Sequence, residues 1–358
     1  MAKERHKRIV FTGGGTIGHV TLNLLLMPLF IADGWEVHYI GSKKGAEKEA
    51  IDASGLEVIY HTISCGKLRR YLSINNFLDL FKVGWGFVQS LVTLARIRPR
   101  VLFSKGGFVA VPPVVASGLL GVPVYVHESD KTMGLANKIA YRFSQKMYTT
   151  FEPESGYTKC QHIGAVTKVT KAIPPLATEI SDTFDDTLPT LLFVGGSGGA
   201  KVFNNFISQH KAALTMWYNI INLTGDFSLE EKANHLYRRA YATDDYLSLI
   251  GAADVVVTRG GSNTLFELLA MQQLAIIVPL GRDASRGDQL ENAAYFEEKG
   301  YAVMLEEEDL SVEVLQDTVA NILKQEEQYH KNMRESRDVA DLETFYAQLL
   351  ADILYKEE

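Results

Sequence analysis

Cysteine is nearly missing from this 358-residue chain, with Cys65 and Cys160 the only two. Two thiols at that spacing make neither a zinc motif nor a disulfide framework. A reducing compartment is the simplest setting for such a chain. Metal-ligand spacings are missing too. Carboxylates and histidines do not gather as they would around zinc or calcium, so no cofactor is expected beyond substrates, and Mg²⁺ on a diphosphate would be optional. Basic residues do not alternate with aromatics as in nucleic-acid binders, so no nucleic-acid partner is expected. The basic segment Met1 to Arg8 is followed only by Ile9-Val10-Phe11, too short for a signal-peptide core. An uncharged stretch at 106–126 is long enough to span a bilayer, but Pro112, Pro113, Gly118, Gly121 and Pro123 interrupt it. It reads as a short buried helix followed by a buried strand.

What remains is ordinary globular material, 46% hydrophobic and 22% charged, which excludes disorder and coiled coil. The length suits two domains. Net charge is −7 but unevenly spread: residues 1–163 carry 20 Lys and Arg against 12 Asp and Glu, while residues 164–358 carry 16 against 31. The first half is thus expected to meet something anionic, although drift in solvated surface charge would give the same asymmetry.

The chain opens as strand, glycine turn, helix. Arg8 to Thr12 is apolar and extended, Gly13-Gly14-Gly15-Thr16 follows, and Leu22, Leu25, Leu26, Leu29 and Phe30 then recur at helical spacing. Asp33-Gly34 ends that helix. Further strands are expected at 37–40, 56–63, 100–104, 122–127 and 146–151, and helices at 74–96, 109–120 and 132–143. Such alternation predicts a parallel sheet covered on both faces. The unit then restarts at Leu191 to Val194 with Gly195-Gly196-Ser197-Gly198-Gly199. Strands at 219–223, 254–258, 275–279 and 301–305 follow, with a last helix at about 339–355. The stretch 165–189 suits a domain boundary. The fold class is α/β, with two Rossmann-like domains whose glycine turns should line an interdomain cleft.

Five polar or glycine-rich loops follow strands. In the first, Gly13 to His19, glycines let the backbone approach an anion at a helix N-terminus; a ligand-free tight turn would look the same. A cationic His19 is disfavoured in a first helical turn, and a neutral imidazole there could serve as general base. The second loop, Ser104 to Phe108, brings Lys105 as a cation, and His127-Glu128-Ser129-Asp130 closes the next strand. The third is Gly195 to Gly199. The fourth, Thr258 to Thr264, offers Ser262, Asn263 and Thr264 as N-cap types facing a phosphate, with Glu267 placed to accept from ribose hydroxyls. The fifth, Arg286 to Gln289, could read sugar hydroxyls. A capped helix start or dipole compensation would account for each alone.

Together these residues resemble the MurG family in its streptococcal, Gram-positive form. That family places N-acetylglucosamine on the undecaprenyl-diphosphate-muramyl-pentapeptide precursor of peptidoglycan. The likeness rests on Gly14-Gly15-Thr16 with Gly18-His19, Gly106-Gly107, His127-Glu128, Gly134-Leu135 with Asn137-Lys138, and Gly195-Gly196-Ser197 with Gly199-Ala200. It continues through Arg259, Gly261, Thr264, Glu267, and Gln289 with Asn292-Ala293.

The resemblance implies the GT-B glycosyltransferase architecture. Residues 1–163 would bind the acceptor and face the membrane, residues 164–338 would bind the UDP-sugar, and a helix at about 339–358 would pack back on the first domain. It implies inverting transfer from UDP-N-acetylglucosamine to the muramyl 4-hydroxyl, with His19 as base and Glu128 as a second candidate. Donor contacts would come from Gly196, Ser197, Thr243, Ser262, Asn263, Thr264, Glu267 and Gln289. Acceptor-diphosphate contacts would come from Gly14, Gly15, Thr16, Gly18, Lys105, Gly106, Gly107 and Asn137. Ile17, Asp130, Ala165-Val166, Lys168, Gly198 and Asp288 depart from the family's common pattern, and a lysine for arginine at 168 loses a bidentate fork.

A lipid-linked acceptor implies peripheral attachment at the cytoplasmic face of the cell membrane. Lys67, Arg69, Arg70 and Lys82 beside Phe77, Phe81 and Trp85 suit contact with anionic lipids; the same pattern also suits an amphipathic helix packed on its own sheet. Three rivals share features with this reading. They are a UDP-sugar diacylglycerol glycosyltransferase, a UDP-N-acetylglucosamine epimerase and a non-catalytic membrane scaffold.

Overall fold

The computed structural model describes residues 7–66, 74–167, 169, 175–196, 198–242, 245–281 and 287–355, with side chains except at 74–80, 178 and 179. Lys67, Arg69, Arg70, Phe77, Lys168, Ser197 and Thr243 lie outside the described residues or side chains. The chain forms two units, Met1–Val166 with Ala340–Glu358, and Thr167–Val339.

Unit 1 is built on strands β1 (Arg8–Thr12), β2 (Glu36–Ser42), β3 (Ile59–Ile63), β4 (Val101–Ser104), β5 (Val124–Glu128), β6 (Lys146–Thr149) and β7 (Cys160–His162). They form one sheet in the order β3-β2-β1-β4-β5-β6-β7, and every pair is parallel. Helices α1 (Thr21–Ala32), α2 (Ala46–Ala53), α3 (Ile74–Ile97), α4 (Val111–Leu119) and α5 (Leu135–Phe143) connect them. Apolar side chains cover both faces, as a parallel sheet requires. Ile9, Phe11 and Phe103 pack on one side with Leu26 and Phe30, while Val10, Leu102 and Val126 pack on the other with Leu94 and Val114. The uncharged stretch 106–126 became a short helix with Pro112 and Pro113 in its first turn, then a strand. Proline is tolerated there because first-turn N–H groups lack intrahelical acceptors.

After a two-residue strand β8 (Ala165–Val166) and a single helical turn α6 (Thr178–Ser181), unit 2 repeats the plan. Its strands are β9 (Thr190–Val194), β10 (Asn219–Leu223), β11 (Glu231–Ala233), β12 (Leu236–Arg239), β13 (Val255–Thr258), β14 (Ala275–Ile277) and β15 (Val303–Met304). The order is β11-β12-β10-β9-β13-β14-β15, with only the edge strand β11 antiparallel. Helices α7 (Lys201–Leu214), α8 (Tyr246–Gly251), α9 (Ser262–Met271), α10 (Asp288–Glu298), α11 (Val312–Lys324) and α12 (Glu326–Arg334) cover it. In both sheets the strand order reverses beside the first strand, at β1/β4 and β9/β13, and ligands of such sheets bind outside the strand ends at that point.

The last helix, α13 (Leu342–Leu354), belongs to unit 1. Phe345 packs edge-on to Tyr148 at 5.1 Å, and Leu349 and Ile353 complete the same core. Burying the Phe345 ring stabilises by about 1.5–3 kcal/mol. Asp352 accepts from Lys146 Nζ at 2.6 Å and Tyr148 OH at 2.5 Å, and its carbonyl accepts from Tyr125 OH at 2.6 Å.

At the other edge of this sheet, His38 Nε2 donates to Glu36 at 2.7 Å and His38 Nδ1 meets His61 Nε2 at 3.0 Å. Glu36, itself paired with Arg8, can only accept, so His38 Nδ1 carries a lone pair and His61 Nε2 donates to it. Protonating both rings would set two N–H groups against each other. Burial lowers both histidines below 6.5, with Arg8 lowering His38 and His38 lowering His61, against the opposite pull of Glu36 on His38. The native state therefore takes up fewer protons than the unfolded chain, and stability is lost as pH falls below about 6.5. Denaturant midpoints between roughly pH 7.5 and 5.5 should fall, and less steeply in His61→Gln, which keeps the donor without titrating. Parallel slopes for the two proteins would refute this.

Candidate active site

In unit 1 the loops after β1 and β4 lock together at the switch point. Lys105 N–H donates to Thr12 O at 3.0 Å and Gly14 N–H to Gly106 O at 3.3 Å. A Cβ on Gly15 would sit 2.4 Å from the Phe108 ring, and one on Gly107 would sit 2.1 Å from Gly14 O. Ile17, Gly18 and His19 form a 3-10 turn, and α1 begins only at Thr21. His19 thus precedes the first α-helical turn in which the sequence had placed it. Its ring is half-buried, with Nδ1 2.7 Å from Thr16 Oγ.

Three residues expected at the acceptor surface or as a base lie beneath it. Lys105 is 3% exposed, with Nζ 3.0 Å from His127 Nδ1. Burial pulls this lysine down to about 8, against the charges of Glu128 and Asp130. His127 is driven well below the usual histidine range by burial and by Lys105. Glu128 closes β5 and is held by four donors. Ser129 and Asp130 N–H reach Oε1 at 2.9 and 3.1 Å, and Gly134 N–H and Asn137 Nδ2 reach Oε2 at 3.1 and 3.0 Å. Burial and the Asp130 charge raise its carboxyl above the usual range, while the hydrogen bonds from Asp130 N–H and Asn137 and the Lys105 charge pull it back. Asn137 also donates to His127 O at 3.1 Å, so both hydrogens of its amide are used inside the chain.

In unit 2 the loop after β9 rises to Ala200, the N-cap of α7. A Cβ on Gly199 would lie 2.0 Å from Thr224 O, so the loops after β9 and β10 touch backbone to backbone. After β13, Arg259 is 8% exposed. It donates to Val278 O at 3.0 Å and Glu307 at 2.5 Å and lies over the Phe203 ring. Gly261 is the N-cap of α9 and no side chain caps it. Ser262, Asn263 and Thr264 are therefore the first three helical residues, one step further in than a capping role requires. Thr264 bonds Tyr246, and Glu267 is near enough to raise that tyrosine together with burial. Glu267 is 7% exposed. The carbonyl oxygen of the Gln289 side chain accepts from Leu280 N–H at 3.0 Å, and Asn292 Nδ2 donates to Gly260 O at 2.9 Å. The loops after β13 and β14 are thus tied to one helix, α10.

Both halves match known domains. Residues 9–149 match the glycosyltransferase family 28 N-terminal domain and residues 190–346 its C-terminal domain. The chain belongs to glycosyltransferase family 28. Among family 28 relatives, a Streptococcus gordonii protein named UDP-N-acetylglucosamine--N-acetylmuramyl-(pentapeptide) pyrophosphoryl-undecaprenol N-acetylglucosamine transferase is 61% identical, over 97% of this chain and 98% of its own. A Streptococcus pneumoniae protein of the same name is 58% identical over 97% and 99%. The fold is shared with Acinetobacter baumannii MurG, at a TM-score of 0.71 and 22% identity over 98% and 99% of the chains. It is also shared with the calicheamicin glycosyltransferase CalG4, at 0.68 and 12% over 99% of each. The MurG resemblance and the two-Rossmann fold class read from the sequence agree with these matches.

Beneath the family 28 loops lie residues that sequence reasoning passed over. Glu47 sits in an eight-residue segment rich in lysine and glutamate that looks like a solvated helix, yet it is fully buried. Tyr246 carries no motif, and its half-buried phenol hydrogen-bonds Thr264 and lies near Glu267. No signal in the sequence marks either one.

Proposed function

We infer that this enzyme transfers N-acetylglucosamine from UDP-N-acetylglucosamine to the muramyl 4-hydroxyl of undecaprenyl-diphosphate-MurNAc-pentapeptide, converting lipid I to lipid II. The observation that carries this reading is full-length identity near 60% to relatives named for that reaction. The glycine loops at both switch points support it.

His19 is assigned as the base. In the tautomer that a base needs, Nδ1–H donates to the Thr16 hydroxyl and Nε2 holds the lone pair that takes the acceptor proton. The hydroxyl oxygen attacks the anomeric carbon as the bond to the UDP oxygen breaks. The glycine turn after β9 and the N-terminus of α9 place N–H groups for the departing diphosphate. Glu128 is assigned a different task from the base considered for it in the sequence. An ionised carboxylate offers about four lone-pair sites, and its four donors occupy them, so it orders the 128–137 loop. Lys105 acts from below the loop as a charge.

The test is UDP release by the purified enzyme with and without a lipid-diphosphate-muramyl-pentapeptide analogue. Release only with acceptor, yielding a lipid-linked disaccharide, supports the reading. Release without acceptor is hydrolysis and overturns the reading. An epimeric UDP-sugar formed with UDP still attached points to the epimerase, and release with diacylglycerol alone points to the glycolipid enzyme.

Attachment to the membrane surface is proposed through α3. Phe81, Trp85, Val88 and Val92 are 65, 60, 43 and 44% exposed, at spacings that align them on one helical stripe. Among the described residues no helix is long and apolar enough to cross a membrane. The enzyme should bind vesicles containing anionic lipid and lose that binding as salt rises, and Trp85→Ser should weaken it. Binding that ignores both salt and Trp85 would rule this surface out.

A further inference from the structure

Glu47 is the second residue of α2, a short helix between β2 and β3, and it is 0% exposed. Its carboxylate spans two loops. Oε1 accepts from Ser42 N–H at 2.9 Å and from the Ser42 hydroxyl, and Oε2 accepts from Gly15 N–H at 3.2 Å. A methyl at three glycine positions would strike it. An added Cβ would lie 2.5 Å from Glu47 Cδ at Gly14, 3.1 Å from Cγ at Gly41 and 2.6 Å from Oε2 at Gly45. Glycine at 14 therefore makes room for a carboxylate inside the protein, whatever it admits from outside.

This changes the supply of donors in the first loop. Gly14 N–H is given to Gly106 O and Gly15 N–H to Glu47. The 3-10 turn is closed by His19 N–H to Thr16 O and Val20 N–H to Ile17 O. Among the described residues nothing accepts from the N–H groups of Thr16, Ile17 and Gly18, which head that turn and accordingly remain for an anion. Opposing the loop from below are Asn23, which donates to Thr12 O at 3.2 Å, and Tyr39, which donates to Gly13 O at 2.7 Å. Of these three side chains, Glu47 is the one that accepts from an N–H of the loop. A buried carboxylate near a diphosphate would repel it if bare. Accepting three hydrogen bonds at the N-terminus of α2 spreads that charge over donors that need it.

We propose that Glu47 is a positioning residue of the acceptor site, clamping Gly15 N–H so that residues 16–18 present their N–H groups to the acceptor diphosphate and His19 stands in register with the sugar hydroxyl. The proposal rests on the reading of unit 1 as the acceptor domain.

Two variants test it. Glu47→Gln keeps the size but turns an NH₂ toward N–H donors. Glu47→Asp keeps the charge and the nearby Ser42 bonds but falls a methylene short of Gly15. Both should fold, and both should raise the KM for a lipid-I analogue and lower kcat, together costing about 10²-fold in kcat/KM. The KM for UDP-N-acetylglucosamine should stay put. Independently of turnover, the Gly15 amide should exchange with solvent about tenfold faster in both variants than in the native enzyme. If acceptor and donor KM rise together, if neither changes, or if neither variant folds, Glu47 is a core residue and the positioning role is wrong. If the native enzyme uses no lipid acceptor, the reading of unit 1 fails instead, while Gly15 exchange still tells whether Glu47 holds the loop.

Discussion

Alanine at position 19 is expected to lower kcat by ~10²–10⁴-fold, the usual worth of a positioned general base, with binding of UDP-N-acetylglucosamine unchanged. The expectation follows from how the ring is held. Nδ1 is fixed at 2.7 Å from Thr16 Oγ, and the backbone of Gly107 packs against the ring so closely that a methyl there would touch Cγ at 3.2 Å. Thr16→Val should cost less than His19→Ala, because it loosens the tautomer but leaves the imidazole. The pH profile of kcat/KM should lose its acidic limb in His19→Ala, since that limb reports the base in the free enzyme. A His19→Ala enzyme within a few-fold of native kcat would move the proton to another group.

Gly107→Ala should be nearly as damaging, for a reason unconnected with proton transfer. Gly107 has φ +81° and ψ 162°, a backbone region essentially confined to glycine, where an L side chain costs about 1–3 kcal/mol. Its new methyl would also sit 2.1 Å from Gly14 O, and a backbone atom cannot swing away as a side-chain tip can. The loops after β1 and β4 would have to part, shifting residues 14–19 together. Loss of acceptor turnover by about 10²-fold or more is expected. Gly34→Ala is the control. It has a similar φ of +75° but nothing within 4 Å of the added Cβ, so it should lower the unfolding midpoint and leave kinetics intact. If both variants lose activity alike, backbone strain rather than loop contact is the cause.

The architecture was legible because its strands are buried on both faces. Leu191 to Val194 and Val255 to Val257 have to be continuous apolar runs in a parallel sheet, and glycine turns punctuate them. Strand β12 was missed because it contains Arg238 and Arg239. Arg238 is nonetheless 5% exposed, satisfied by Asn222, Ser208 and Asn204, and no local pattern announces partners 16 to 34 residues away. Strand β7 was missed because Cys160, Gln161 and His162 are all half-buried and show no alternation. At the site the polar residue types were visible but their directions were not. Lys105 looks like a loop cation and points inward to His127, because the strand period carries residues 103 and 105 to the same face of the sheet. Glu47 was invisible for the opposite reason. Its neighbours are solvated, and only the bare backbones of Gly14, Gly41 and Gly45 reveal the space it fills.

Helix α13 orders these events in time. The ribosome releases residues 8–149, seven-strand sheet included save for its edge, long before Phe345, Leu349 and Ile353 exist. A nascent unit 1 therefore carries an uncovered apolar face over Phe103, Tyr125 and Tyr148 while the whole of unit 2 is being made. Unit 2 has no such debt to a distant segment. The half of the enzyme synthesised first is the half whose core closes last.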